Sequence, residues 1–476
     1  MEILSETQAG SAVSPLQCLP RPLLYIVVSI VLLVPCFWQS RIQAGDLSSH
    51  IYNTWLARQI ERGEAPGLEI VPQATNVLFD LMLARLYGPL GPSLTQRVAV
   101  SVAVLNFFWG AFYFISVVSR KRPWFLMPFL AMLAYGWVFH TGLFNFYLAL
   151  GLCWWALAFL WKGGRRVLLA VPLLALAFVA HGLPVAWAAA MGIYVWLSRR
   201  LTAARGLVLG GVAFVAIVGQ HFFLMRHYSS TWSLWQTLRM TGLDQVVVFG
   251  PGFLLVVAAL LAVAGYLMLR LTKTTGLRNF LLSLPVQLAI LDALGIALVP
   301  SKIELPYFNH ALVYIAERMS LTVAILTCAS FASVRAGWFE RAGLAAITIA
   351  YFGMLYVKTA ELNRLEDQVQ ALVRGLPPMQ RVISPLLDPN SRTPWLTHLV
   401  DRACIGICYS YANYEPSTAQ FRIRTRARNM IVVNDYDDAF AMQTGAYRPR
   451  NDDPSLYQIS DCGGRLCLTQ LNGAKQ

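Results

Sequence analysis

The stretch "GDLSSHIYNTWLARQIERG" (45–63) sets an acid, an imidazole and a carboxamide within one short run. As a helix entered at Gly45, it carries Asp46, His50 and Asn53 at i, i+4 and i+7, on one face. Tyr52, Trp55, Leu56 and Ile60 make the apolar face, and Gly63 is the stop. A carboxylate beside an imidazole can take the proton of a hydroxyl as its oxygen attacks an electrophile, which is general-base chemistry. The alternative is an N-cap aspartate that merely starts an amphipathic loop helix. Cations that could receive a departing anion are Arg58, Arg226, His227, Lys302, His310 and Arg318. Arg318 lies in "NHALVYIAERMS" (309–320), where His310, Tyr314 and Glu317/Arg318 follow helical spacing. Glu317 and Arg318 could equally anchor the end of an apolar run by snorkelling. His140 ("FHTGLFN") and His181 ("AHGLP") stand at the ends of apolar runs, where an imidazole often serves only as a structural hydrogen-bonder.

The elements that must position these residues are membrane spans. The 476-residue chain is 57% hydrophobic and 13% charged, whereas a soluble domain carries about a quarter charged residues. Apolar runs near bilayer length occur at 22–38, 98–119, 124–139, 143–161, 167–181, 184–198, 206–224, 251–270, 279–299, 319–334 and 343–357. Two of them, 167–181 and 184–198, are short and meet at "HGLP", as tight crossings or a partly re-entrant hairpin. The segment 75–90 is amphipathic and is expected at the outer surface. The first run is expected to be an uncleaved signal-anchor; cleavage after "QAG" would leave the remaining topology unchanged.

The net charge of +14 does not point to nucleic acid, because its distribution follows the loops. The connections 120–122, 162–166, 199–205, 270–278 and 335–341 hold fourteen Lys or Arg and the single acid Glu340. In 39–97, 226–252 and 300–319 acids nearly balance bases. This positive-inside asymmetry predicts a cytoplasmic N-terminal tail (1–21), a transmembrane region (22–357) with a long first outer loop (39–97), and an extracytoplasmic C-terminal domain (358–476). The expected fold is an all-α polytopic membrane protein of about eleven transmembrane helices with a small mixed α/β or β-rich outer domain. In that domain "QFRIRTRARNMIVVND" (420–435) reads as an alternating strand followed by an apolar core strand. Cys404, Cys408, Cys462 and Cys467 all fall there, which suggests two disulfides with three possible connectivities. A zinc site is the rival, although C-x3-C and C-x4-C are loose spacings for zinc.

A first span followed at once by a long outer loop, with an acid at its start and a surface helix, resembles the GT-C superfamily of integral-membrane glycosyltransferases. That group includes protein O-mannosyltransferases and aminoarabinose transferases. The layout of the whole chain carries the likeness; the motif match lies in 45–63 and, more weakly, in "HTGLFNFYLALGL" (140–152). The resemblance implies an integral protein of a bacterial inner (plasma) membrane. Its donor would be a polyprenyl-phosphate sugar and its acceptor a lipid, glycan or protein. It implies catalysis by Asp46, with His50 beside it. Donor phosphate would bind at Arg318, His310 and Arg58, and substrate at Asn53, Asn145, His140 and His181. Family members often carry a second acid next to the first; here Leu47 and Ser48 follow Asp46. His50 could fill that polar gap. No cofactor and no metal ligand are assigned, and a divalent cation stays open.

Two other functions compete. Asp292 in "LAILDALGIALV" and His221 in "VGQHFFLM" are ionisable groups inside apolar runs, which suits a transporter or flippase of a lipid-linked or small polar substrate. No repeat relates the halves, as many transporters would show. A receptor or scaffold acting through 358–476 is the third. Nucleotide-binding signatures and HExxH are absent from the sequence.

Overall fold

The computed structural model describes residues 21–306, 311–387, 392, 396–426, 429–451 and 453–471. The apolar runs become helices, because lipid offers the backbone no partner and only a helix satisfies every N–H and C=O within one segment. In chain order they are α1 (Arg21–Leu33), α2 (Leu47–Glu61), α3 (Leu78–Ser119), α4 (Met127–Ala134), α5 (Trp137–Thr141), α6 (Phe144–Lys162), α7 (Val167–Ala180), α8 (Gly182–Ser198) and α9 (Ala203–His227). There follow α10 (Gln236–Arg239), α11 (Leu254–Thr275), α12 (Leu277–Leu282), α13 (Leu284–Leu298), α14 (Ile315–Phe331) and α15 (Trp338–Arg374). The short α16 (Leu399–Cys404), α17 (Tyr414–Thr418) and α18 (Tyr436–Thr444) complete the helices. Among the described residues, six stretches are long and apolar enough to cross a membrane: Leu78–Ser119, Trp124–Thr141, Phe144–Lys162, Arg205–His227, Pro251–Thr275 and Trp338–Arg374.

Three departures from the expected layout have identifiable causes. Segment 75–90 forms a helix from Leu78 that a non-helical Gly91 (φ +68), flanked by Pro89 and Pro92, sets off from the span, so that α3 is two helices across a kink; the first packs one face inward rather than lying free on the surface. Phe79, Asp80 and Leu83 of its first turns are buried. The run 124–139 is interrupted at Tyr135–Gly136, because Gly136 presses on the backbone of Gln245, whose carbonyl oxygen lies 2.9 Å from where a Cβ would stand. The composition change at 358 falls inside α15, which runs on to Arg374 with Leu362, Asn363, Glu366, Val369 and Val373 turned inward at helical spacing. One rigid helix therefore joins the bundle to the C-terminal part.

Among the described residues nine short strands make three sheets. β1 (Leu68–Ile70) of the first loop pairs antiparallel with β7 (Ile423–Thr425). β2 (Ser230–Thr231), β3 (Lys302–Ile303) and β4 (Leu312–Val313) tie two further loops together. In the C-terminal part, β5 (Gln380–Ile383) lies parallel between β6 (Cys408–Ser410) and β8 (Leu456–Asp461), and β9 (Leu466–Leu471) folds back antiparallel on β8. Among the described residues of 420–435, 423–425 is a strand; Ile431–Val433 is buried but irregular, its Val433 N–H donating to Tyr411 O. The cysteines stand at disulfide distance in local pairs, Cys404 with Cys408 and Cys462 with Cys467.

Two core clusters meet at α2. Leu47 and Ile51 belong to the bundle's core, whereas Tyr52, Trp55, Leu56 and Ala57 pack with Val382, Leu399, Val400 and Ile423. The helix expected to lie on an open interface is thus covered on both sides. At the opposite end of the bundle Arg120–Arg122, Lys162 and Arg199, from three separate basic connections, line one cavity.

Candidate functional site

The two stretches that carried the resemblance touch. Gly45 N–H donates to His140 O (2.8 Å), Asp46 N–H donates to Thr141 O (3.0 Å), and His140 Nδ1 lies 2.8 Å from Gln43 O. Gly142 ends α5 in the left-handed region (φ +89), and a Cβ there would stand 2.9 Å from Asp46 Cα and nearer still to its nitrogen. The turn after α5 is therefore a mould for the backbone of Asp46.

Asp46 immediately precedes α2, and its carbonyl accepts the His50 N–H at 2.9 Å. Asp46 thus takes the N-cap position of α2, but its carboxylate makes no capping bond to that helix. Instead Oδ1 lies 3.2 Å from Nε2 of His398, in the turn before α16. His398 Nδ1 lies 3.0 Å from Asp401 Oδ2, and Asp401 Oδ1 accepts from Ser410 Oγ at 2.5 Å. Burial opposes the charge on His398, but its bonds to Asp401 and Asp46 outweigh that and push the imidazole up to about 10. His398 thus stands as a cation between two acids. Asp46 is also the most open member of the row: its side chain is 22% exposed, against 7% for His398 and 3% for Asp401.

A second acid–imidazole pair stands behind it. His50 Nδ1 lies 2.7 Å from Asp80 Oδ1, while Asp80 Oδ2 accepts from Asn145 Nδ2 at 2.9 Å. Asn145 Oδ1 in turn accepts the Phe79 N–H at 2.8 Å, fixing the start of α3 against α6. Burial opposes charging of His50, yet Asp80 first, then Glu415 and Asp46, push it up to about 9. Glu415, at the start of α17, is pushed up to about 7 by burial and by Asp80, with His50 and Arg422 pulling the other way. Asp80 at the start of α3 and Glu415 of α17 thus bring two further buried acids to the His50 side of the cluster.

The remaining expected residues divide. Arg318 folds its guanidinium back onto the carbonyls of Tyr314 (3.1 Å) and Val313 (2.6 Å), stands over Phe146, and feels the charge of Asp46. Tyr314 adopts φ +59 ahead of α14, and burial raises its hydroxyl, with Asp46 adding to the effect. His181 Nδ1 accepts the Leu183 N–H (3.2 Å) and caps α8, while its Nε2 lies 3.4 Å from Arg318 Nη1. Asn53 is buried and fully engaged, accepting from Asn413 Nδ2 at 2.6 Å and donating to Ser49 Oγ. It holds α2 to the C-terminal part rather than facing open space. His140 is buried as well, its Nε2 without a hydrogen-bond partner among the described residues. Arg58 is not brought to the cluster: it lies over Tyr87, about 18 Å along the helix axis from Asp46 at ~1.5 Å per residue. His310 lies outside the described residues.

Sequence reasoning missed Asp80, His398, Asp401 and Glu415. The "HLVD" spacing (398–401) puts an imidazole and an acid on one helical face and was the available signal. It also missed two ion pairs that brace the loops over α14, Arg239–Glu317 at 2.7 Å and Arg392–Asp244 at 2.6 Å. Asp292 receives hydrogen bonds from Trp187 Nε1 (2.9 Å) and Thr322 Oγ1 (2.5 Å), and His221 Nδ1 lies 2.7 Å from Leu298 O, so each has a structural partner. Among the described residues no group of three or more His, Cys, Asp and Glu is arranged to hold a metal ion.

What the arrangement can do is accept a proton at Asp46 beside a cation, with buried acids and imidazoles behind it to stabilise either charge state. Compared with protein-family models, curated proteins and solved structures, the chain gave no match to any of them.

Proposed function

We propose that the chain is a membrane glycosyltransferase of the GT-C kind, moving a sugar from a polyprenyl-phosphate donor to an acceptor hydroxyl. The observation that carries this reading is Asp46 itself. It is a partly open carboxylate, moulded by Gly142 and ion-paired to His398, within electrostatic reach of Arg318. In the proposed step the acceptor oxygen bonds to the anomeric carbon as the bond from that carbon to the phosphate oxygen breaks. The hydroxyl proton passes to Asp46, and the polyprenyl phosphate leaves with the bond's electron pair. A single displacement inverts the anomeric centre. His398 holds the Asp46 carboxylate in place, and Arg318 offers charge to the leaving phosphate.

The topology belongs to the same reading. Eleven spans with the N-terminus in the cytoplasm of a bacterium put all five basic connections inside. The Asp46 cluster and the C-terminal part would then share the outer face, where the lipid-linked donor presents its head group. The gathering of Arg120–Arg122, Lys162 and Arg199 around one cavity supports a common side for three of those connections.

The test is transfer from a synthetic polyprenyl-phosphate sugar by purified protein, wild type against Asp46→Asn. General-base help is worth about 10²- to 10⁴-fold, and a loss of that order in kcat with intact folding is expected. Substrate transport into proteoliposomes without transfer would overturn the proposal in favour of a transporter.

A further inference from the structure

The cavity at the basic end of the bundle is unrelated to the Asp46 cluster. Asn145 stands at one end of α6 beside Asp80, and Lys162 closes the other end, about 28 Å away for a 19-residue helix at ~1.5 Å per residue. The cavity has a volume of ≈ 1090 Å³. Its mouth carries Arg120, Lys121, Arg122, Lys162 and Arg199, and no carboxylate lines it among the described residues. These cations come from the ends of three different helices, α3, α6 and α8. Burial lowers the affinity of the Arg199 guanidinium for its proton, and the nearby charge of Arg120 lowers it further. The two cations therefore crowd one another.

Their existing partners are neutral. Lys162 Nζ donates to Tyr113 Oη at 2.6 Å and stands 4.6 Å from that ring's centroid. Arg199 lies over Trp161 at 4.6 Å and donates to its carbonyl. Below the cations the wall is aromatic, formed by Trp109, Trp155, Phe112 and Tyr25. Next along α1 from Tyr25, Ile26 and Ile30 stand one turn apart and leave an exposed strip, at 54% and 63%. Cationic mouth, aromatic wall and adjoining apolar strip occur in the order of the parts of an amphiphile: anionic head, interfacial backbone, acyl chain.

We propose that this cavity binds the phosphate head group of an anionic phospholipid from the surrounding leaflet, with its acyl chain laid along α1. Free phosphate shares the head-group chemistry but has no use for the aromatic wall or the exposed strip. The lipid is thus the better fit to the whole site. The site does not depend on what reaction the Asp46 cluster performs.

The experiment titrates the purified full-length protein in detergent with phosphatidylglycerol or phosphatidylcholine and counts retained lipid by native mass spectrometry. One phosphatidylglycerol should be held about tenfold more tightly than phosphatidylcholine. The variant Arg120→Gln/Lys162→Gln/Arg199→Gln changes only exposed side chains and should lose that preference. Arg165→Gln/Arg166→Gln removes charge from the same end without touching the cavity and should keep it. Equal loss in both variants, or in neither, overturns the proposal, because general surface charge or none at all would then explain binding. Displacement by millimolar inorganic phosphate as readily as by a short-chain phosphatidic acid also overturns it, in favour of a soluble phosphate. Retention of the lipid by a Lys162→Arg variant, which keeps the charge, guards against reading misfolding as loss of the site.

Discussion

Asp46 of the first loop and His398 of the C-terminal part meet at 3.2 Å, so the candidate base is completed by a residue from the far end of the chain. The contact makes a pH signature. His398 is raised from 6.5 to about 10 in the folded protein. A group raised on folding contributes stability that is fully present below its unfolded value and is lost as pH climbs through its folded value. The melting temperature should therefore fall between pH 6.5 and 10, and His398→Gln should flatten that fall. His50, raised to about 9, leaves part of the slope in place. Glutamine still offers a hydrogen bond but no charge, so turnover should drop about 10- to 100-fold, the worth of a charge-assisted bond of ~1.5–3 kcal/mol. A variant with wild-type pH dependence of melting would contradict the ion pair.

Gly142 is a second lever on the same carboxylate. Its φ of +89 disfavours any side chain, and an added Cβ would press on the Asp46 backbone. Gly142→Ala should destabilise by about 1–3 kcal/mol from backbone strain and push Asp46 away from His398. Its diagnostic is a drop in kcat with little change in KM, since misplacing a base harms the chemical step more than binding. Gly163→Ala also demands a positive φ (+70) but meets nothing within 4 Å; it should cost stability alone.

Both motif-bearing stretches were legible, because an acid, imidazoles and asparagines clustered in a greasy chain stand out by residue type. Apolar runs also marked the greasy part of each of the six stretches long enough to cross a membrane, since lipid exposure demands a continuous run. What stayed hidden was the pairing. Asp80 read as an ordinary polar residue of an amphipathic segment until Asn145 and His50 closed on it. Asn53 read as a ligand group until Asn413 occupied it. The end of the span at 357 was invisible as continuous helix, because α15 trades a lipid-facing surface for one facing Arg402 and Arg41 without changing its period. Tertiary partners decided each case, and no local pattern encodes them.

Asn145 offers a test of the buried support behind the base. Its carboxamide serves Asp80 and the Phe79 N–H at once. Asn145→Ala leaves an acceptor and a donor unsatisfied in a buried setting, at about 1–3 kcal/mol for each. Thermal denaturation should show a loss on the order of 2 kcal/mol or more. Asn53→Ala should also destabilise, but by loosening α2 from Asn413. Double-mutant cycles should find the two nearly additive, because they share no partner.

The two cysteine pairs should differ in consequence. Cys404 ends α16 and Cys408 opens β6, so their link closes a short loop between Asp401 and Ser410. Asp401 holds the inner nitrogen of His398, and Ser410 Oγ donates to Asp401 in turn. Cys462 and Cys467 instead close the exposed turn of the β8–β9 hairpin, next to Asp461. Without reductant, alkylation followed by intact-mass measurement should leave all four cysteines unlabelled. Cys404→Ser/Cys408→Ser should then lower both melting temperature and turnover, and should weaken the pH dependence that His398 confers. Cys462→Ser/Cys467→Ser should leave turnover within twofold of wild type, a margin that ordinary surface substitutions of about 0.5 kcal/mol or less would also keep. If the hairpin pair proved the more damaging, the chain from Ser410 through Asp401 and His398 to Asp46 would not be what positions the carboxylate.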